Sequence, residues 1–316
     1  LSFPPGAHWT WPGGFFETKK MYDMKIYITH GGIFHADEAL GWAILRLAQE
    51  SGSFERRTSL ENLPTAGSAF VADIGRECDP YRSRFDHHQG FFTRNNGYPL
   101  ATAGMIWQEY GESAVISCIG ATGIAEEIAA RVDEVFIQGI DAHDADSAYK
   151  VQAECSAGAV RAMTISHVIA SMNGDDPKDA FEQDRRFRAA ADFMLDVLQS
   201  QIRSAAKFIE AKLRFGQIAQ VAYHPRVIVL PEFLPWQEIV CADYPDALYV
   251  ITPSGHPGNP YSLTAVPVEP GSRELKKPIE RPEWFGGFIH QGKWIAGGDS
   301  IETLLKLAEY NIERHD

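Results

Sequence analysis

Residues 24–49 read MKIYITHGGIFHADEALGWAILRLAQ. The first part, 24–30, is a short run of β-forming residues ending at His30. Gly31-Gly32 follows, and residues 37–49 then carry apolar side chains at helical spacing. Asp37 and Glu38 fall in the first turn of that helix, where carboxylates suit the positive end of its dipole. A strand, a Gly-Gly loop and a helix in this order open an α/β unit built on a parallel sheet. Working outward, 69–74 (AFVADI) is a second buried strand, and helices are expected over 102–110 and about 123–141. This alternation defines an N-terminal α/β domain over residues 24–176. Residues 177–215 are long, charged and helical in pattern, and are read as a linker of one or two helices. After residue 216 the pattern shortens. Strand-like runs at 218–223, 227–230, 248–252, 262–268 and 287–296, and a helix at 301–311, predict a smaller C-terminal α+β domain over 216–316. Residues 1–23, rich in Pro, Gly and Trp, are expected to form an irregular arm. Such an arm is either disordered or packed against a neighbouring chain of a homo-oligomer.

Composition limits the function classes. The chain has 316 residues, 45% hydrophobic and 22% charged, enough to bury substantial cores. With 29 Lys plus Arg against 42 Asp plus Glu, the net charge is −13. Bulk positive charge therefore does not hold this protein to nucleic acid or to anionic lipid. No stretch resembles a membrane span. The four cysteines (Cys78, Cys118, Cys155, Cys241) form no CxxC pair, which fits reduced thiols in a cytoplasmic compartment.

Three acidic and histidine groups stand where the first domain's strands should end. They are His30-Gly-Gly-Ile-Phe-His35-Ala-Asp37, then Asp73, then Asp86-His87-His88. In a parallel sheet the C-terminal strand ends form one edge, so these residues converge there. Asp141 and Asp144, three apart, share a helix face. Any one of these residues is most often a cap, a turn residue or a satisfied histidine. Their joint arrangement of His nitrogens and carboxylate oxygens without thiolates points to one or two hard-to-borderline dications such as Mn2+. No Gly-x-Ser-x-Gly elbow and no Walker loop is present.

Five ordered stretches carry a more specific likeness: THGGIFHADEAL (29–40), VADIG (71–75), RFDHHQGFF (84–92), IDAHDAD (140–146) and EWFGGFIHQGKWIAGG (283–298). On these the chain resembles the DHH phosphoesterase superfamily. Within it the chain resembles the melanocyte-proliferating-gene-product family, labelled "metal-dependent protein hydrolase". The resemblance implies an N-terminal parallel-sheet DHH domain, a helical linker and a smaller domain that closes over the metals. It implies His30, His35, Asp37, Asp73, His87 and Asp141 as metal ligands, with Asp73 as the bridge between two ions, Mn2+ or Mg2+. Asp144 competes with Asp141. Asp86 would orient a histidine of the triplet, and His88 would meet substrate phosphate. Many DHH enzymes carry Asp-x-Asp where this chain has His35-x-Asp37, which leaves the metal identity open.

The expected reaction is attack of an activated water on phosphorus, with the ions sharing the charge. The resemblance implies a 3′-to-5′ exonuclease on single-stranded RNA. A small-molecule phosphohydrolase acting on pyrophosphate or a short oligonucleotide stands as the alternative, and a non-catalytic metal- or nucleic-acid-binding protein as the third. For the rest of the substrate, Gly297-Gly298 before a helix is expected to present free N–H groups to phosphate. Arg161, Arg281 and His290 are the cationic candidates. Trp284, Phe285 and Phe288 are either a base-stacking surface or, more commonly, the core of a small domain.

Overall fold

The computed structural model describes residues 24–59, 61–65, 67–120, 122–145, 163–218 and 225–314. These form two compact units that divide between Ala205 and Ala206. The first opens with β1 (Ile26–His30), α1 (Ala36–Leu47), β2 (Ser53–Arg57) and β3 (Ala69–Ala72). Short strands follow: β4 (Cys78–Asp79), β5 (Arg84–Phe85), β6 (Phe92–Thr93) and β7 (Pro99–Leu100). The helices are α2 (Thr102–Ile119), α3 (Ala125–Val132), a π-helical turn (Asp133–Ile137), α4 (Gln138–Ala145), α5 (Ile165–Ala170) and α6 (Ala180–Ile218). The expected arm over 1–23 lies outside the described residues.

The first sheet has the order β2-β1-β3-β5-β4. Its first four strands are parallel, and β4 is antiparallel at the edge. β3 is buried along its whole length, and Tyr27, Ile28 and Thr29 of β1 are buried too, as strands covered on both faces require. His30 ends β1, Asp73 follows β3 directly, and Asp86 follows β5 directly. The parallel direction thus delivers all three to one edge. β2 escaped the sequence reading because Ser-Phe-Glu-Arg-Arg is polar and half-exposed at the sheet margin. α2 runs beyond the expected 110 to Ile119, where Gly120, at φ 69°, caps it in the left-handed conformation.

The helical stretch expected over 177–215 is one 39-residue helix, α6. Within the first unit Phe187 of α6 is fully buried. Its ring lies 5.1 Å from Phe54, 5.7 Å from Phe34 and 6.0 Å, stacked, from Trp42.

The second unit continues with β8 (Val227–Val229), α7 (Gln237–Asp243), β9 (Tyr249–His256) and β10 (Asn259–Ala265). It ends with β11 (Phe288–Ile289), β12 (Ile295–Gly298) and α8 (Ile301–Glu313). Its sheet order is β11-β12-β10-β9-β8, antiparallel except for the β8–β9 pair. Alternation sorts its side chains onto two faces. Val227, Val229, Tyr249 and Ile251 pack with Leu304 and Leu307 of α8. Ile228, Leu230 and Val250 pack with Trp236 and Val240 at α7. The segment expected as one strand over 287–296 is a hairpin, because a turn at 290–294 folds β11 back on β12. The strand expected over 218–223 lies outside the described residues except for Ile218, which ends α6. No helix among the described residues is long and apolar enough to cross a membrane.

Removing the Phe187 ring leaves a cavity among three aromatic residues, Phe34, Trp42 and Phe54. Phe187→Ala is expected to cost about 3–5 kcal/mol of stability. That corresponds to a fall in melting temperature of roughly 10 °C. A calorimetric melt within about 3 °C of the parent would show that α6 is not fastened by this ring.

Candidate metal centre

At the C-terminal edge of the first sheet, His30 Nε2 lies 3.0 Å from Glu38 Oε1 and 3.2 Å from Asp73 Oδ2. His87 Nε2 lies 3.1 Å from Asp144 Oδ2 and 3.4 Å from Asp73 Oδ1. His35 Nδ1 lies 3.9 Å from Asp144 Oδ1. Three groups of potential ligand atoms result, each with all atoms within 4.8 Å: His30, His35, Glu38 and Asp73; Asp73, His87 and His88; His35, Asp37 and Asp144. Asp73 belongs to two of the groups, and so does His35.

Local structure holds these side chains in place. His35 sits at the N-cap of α1, and its backbone N–H donates to Glu38 Oε1 at 2.9 Å. Asp73 adopts φ +58°, a left-handed conformation that a short polar side chain tolerates better than a branched one. Its own N–H donates to Phe85 O at 2.9 Å, and Thr102 Oγ1 donates to its Oδ1 at 3.3 Å. Asp86 is buried and serves His88: its Oδ1 accepts from the His88 backbone N–H at 2.9 Å and meets His88 Nδ1 at 2.7 Å. Its Oδ2 accepts from Arg76 N at 2.7 Å. With Nδ1 engaged, Nε2 is the nitrogen that half-exposed His88 offers to a ligand.

The donor set suits cations. Asp37 is fully buried, and neither of its carboxylate oxygens has a hydrogen-bond partner among the described residues. Glu38 Oε2 is likewise buried without one there. Buried polar atoms in native proteins are nearly always satisfied, so three unpaired oxygens in one cluster fit an external partner. All the donors are oxygen or nitrogen, which fits Mn2+, Mg2+ or Zn2+ and not a soft thiolate site.

The cluster also perturbs its own titration. Burial pulls the His30 pKa down, but Asp73 and Glu38 outweigh it and raise it to about 11. Burial acts the same way on His87, and Asp144 and Asp73 raise it to about 10. Burial pushes Asp37 well above the ordinary carboxylate range, and Asp144, Asp73 and Glu38 push it further. Burial also works to raise Asp73, but the two imidazoles hold it well below its ordinary value.

Two sequence expectations meet different surroundings here. Asp141, left open against Asp144 in sequence, is fully buried and belongs to none of the three ligand groups. Its Oδ2 accepts from Arg94 Nη2 at 2.6 Å, and its Oδ1 accepts from Gly104 N at 3.0 Å. Gly104 is the third residue of α2, whose N-cap residue Ala101 has no side chain that can cap. Asp141 therefore caps α2 from α4. A Cβ on residue 104 would collide with Asp141 Oδ2 and come within 2.6 Å of Arg94 Nη2. Asp144, almost one turn further along α4, is the carboxylate that reaches the cluster. Glu38, read from sequence only as a dipole partner, is the ligand candidate that reading missed. Its signal was a fourth acidic or histidine residue within the motif His30–Glu38.

The second expectation concerns the phosphate loop. Gly297 and Gly298 are strand residues: Gly297 pairs with Ser262 on one side and Phe288 on the other, and Gly298 pairs with Tyr261. They are small because a Cβ on Gly297 would press on Asn259 and one on Gly298 on Leu304. Ser300 caps α8 by accepting from Thr303 N at 3.2 Å. Arg281 Nη1 donates to Phe285 O at 2.9 Å and Gly287 O at 3.0 Å, so it braces its own loop. His290 Nδ1 accepts from Gly292 N at 3.0 Å in the β11–β12 turn. Phe285 is buried in the second unit's core, while Trp284 and Phe288 are half-exposed. Arg161 lies outside the described residues.

The cluster opens into a cleft of about 520 Å³ within the first unit. Its lining includes His35, Asp37, His87, His88 and Asp144 together with Phe91, Phe92, Leu100 and Ile140.

Residues 26–312 match the MYG1_exonuc family model, described as Uncharacterised protein family (UPF0160). The MYG1 protein of Saccharomyces cerevisiae is 26% identical over 329 residues, covering 91% of this chain and 96% of its own. The MYG1 exonuclease of Homo sapiens is 26% identical over 322 residues, covering 90% of this chain and 85% of its own. Among solved structures, a pGpG-specific phosphodiesterase from Vibrio aligns over 91% of this chain and 97% of that chain. The likeness is weak, with a TM-score of 0.27 and 12% identity.

Two expectations follow. Asp141→Asn breaks a buried pair with Arg94 and should destabilise the fold by about 3–5 kcal/mol. Asp144→Asn should leave the melting temperature unchanged and weaken Mn2+ binding by more than tenfold. Interchanged outcomes in melts and calorimetry would return Asp141 to the ligand set. Metals take imidazole in its neutral form. Below about pH 10 both His30 and His87 hold a proton that an incoming ion must displace. Apparent Mn2+ affinity should therefore climb with pH by roughly tenfold per displaced proton per unit. Flat affinity between pH 6 and 8 would remove these histidines as ligands.

Proposed function

We propose, from the premise that this chain belongs to the MYG1_exonuc family (UPF0160) and from the geometry of its cluster, that it is a metal-dependent phosphodiesterase of DHH phosphoesterase type. Its substrate in this reading is single-stranded RNA, degraded from 3′ to 5′. The observation that carries the reading is the set of three ligand groups joined through Asp73 and His35, with buried oxygens that have no hydrogen-bond partner among the described residues. The exonuclease names of mammalian relatives support it.

The ligands proposed are His30, His35, Asp37, Glu38, Asp73, His87 and Asp144. Four of these are carboxylates, so two dications would balance their charge. Bound there, such ions lower the pKa of water and neutralise a phosphoryl group. The chain's own part is positioning. Asp73, fixed in its left-handed turn between two imidazoles, is the shared ligand. Asp86 holds His88 by Nδ1, so that Nε2 faces the substrate phosphate and can carry a proton toward it. The buried wall around Asp37 and Glu38 keeps bulk water from competing for these carboxylates. A reducing, cytoplasmic setting belongs to the same reading, and Cys78, Cys118 and Cys241 are free.

The test is end-labelled single-stranded RNA incubated with Mn2+ or Mg2+. One-nucleotide steps from the 3′ end are expected, with none after chelation. Asp73→Ala and His87→Ala should lose more than the 10–100-fold that loss of a supporting partner costs. Turnover of pyrophosphate without any cleavage of RNA would replace this reading with a small-molecule phosphohydrolase.

A further inference from the structure

The cluster does not account for all of the cleft's lining. Phe91, Phe92, Leu100 and Ile140 line it too, and nothing in phosphoryl hydrolysis itself requires them. Phe91 is 60% exposed at this wall, beside Phe92, Leu100 and Ile140. An aromatic ring kept in solvent loses the burial that normally stabilises it. Here that ring follows the triplet by three residues, so it is fixed to the same strand end as His87 and His88.

The wall is also rigid. Phe92 pairs with Leu100 in the β6–β7 hairpin. The hairpin turn is closed by Arg94 N donating to Tyr98 O at 2.8 Å and Gly97 N donating to Arg94 O at 2.9 Å. The Arg94 guanidinium then ties the hairpin to Asp133 and Asp141 of the helical layer that carries Asp144. The aromatic surface and a cluster carboxylate are thus anchored to one buried cation.

A cleft of about 520 Å³ lined both by candidate metal ligands and by an exposed aromatic ring matches one nucleotide unit, a phosphate joined to a planar base. Pyrophosphate would leave Phe91 in contact with water. We infer that Phe91 is a base-stacking residue, seating the nucleobase attached to the scissile phosphate against the cleft wall. This rests on the proposed phosphodiesterase reading and adds to it the residue that seats the base. Every base has a π-face, and stacking is tolerant of sequence. The subsite therefore holds any base and supplies affinity without reading identity.

Equilibrium binding tests this independently of turnover. Adenosine 5′-monophosphate and ribose 5-phosphate are titrated into the Mn2+-loaded protein by calorimetry, for the parent, Phe91→Ala and Phe91→Tyr. Adenosine 5′-monophosphate should bind the parent about 10- to 100-fold more tightly than ribose 5-phosphate. That preference should fall to near unity in Phe91→Ala and return in Phe91→Tyr. Equal binding of the two ligands to the parent, binding of neither, or a preference that survives Phe91→Ala would each overturn the inference. Loss of the phosphodiesterase reading looks different: the nucleotide preference is intact while no phosphodiester is hydrolysed.

Discussion

One buried cation organises the unit that carries the candidate metal centre. The Arg94 guanidinium meets both oxygens of Asp133, one oxygen of Asp141 and the Pro99 carbonyl. A buried charge is tolerated only when nearly all of its donors are matched, and here four contacts match them. The four contacts reach three pieces of chain: the β6–β7 hairpin, the π-helical turn and α4. Asp141 passes the constraint on to α2 by accepting from Gly104 N. α2 in turn supports the cluster through Thr102, which donates to Asp73. Arg94 is seven residues from His87 in sequence and touches none of the ligand candidates, yet the placement of Asp144 and of the aromatic wall both depend on it.

Against that fixed frame the cluster itself is strained. Four carboxylates crowd together, three of their oxygens have no hydrogen-bond partner among the described residues, and Asp73 holds a backbone conformation unusual for a residue with a side chain. Such features lower stability and persist where function selects for them. The first unit offsets them with packing on both faces of the parallel sheet, including the Trp42–Phe54–Phe187 contacts.

The parts that were legible in the sequence are those set by periodicity and strand ends. β1, α1 and β3 follow from continuous apolar patterns, and the edge of a parallel sheet then collects His30, Asp73 and His87 without further information. Choosing between Asp141 and Asp144 required more. Residues three apart share a face, but which of them meets the cleft depends on helix phase, and the π turn at Asp133–Ile137 shifts that phase. No pattern of residue types announces a π turn. Glu38 was overlooked because the dipole gave it a sufficient reason to be there. Gly297-Gly298 misled because glycines that make room for Asn259 and Leu304 look, in sequence, like glycines that cradle an anion. β2 failed on polarity, since an edge strand lacks the burial that makes strands visible.

The acidity of the chain takes on a local meaning. A net charge of −13 repels RNA at long range, and at physiological salt that repulsion fades over about 8 Å. Inside the cleft the relevant charge is that of the four ligand carboxylates and whatever cations they hold. Two dications would bring −13 to −13 + 4 = −9 for the whole chain, and the cluster itself to neutrality. Attraction for a phosphate is then confined to the few ångströms around the ions, and the adjacent apolar wall contributes contact that depends on neither charge nor salt. Under the proposed function, a cleft arranged in this way would grip one nucleotide at a time and let go of the rest of the strand. Stepwise removal of terminal nucleotides would require that affinity pattern, and it needs no basic groove.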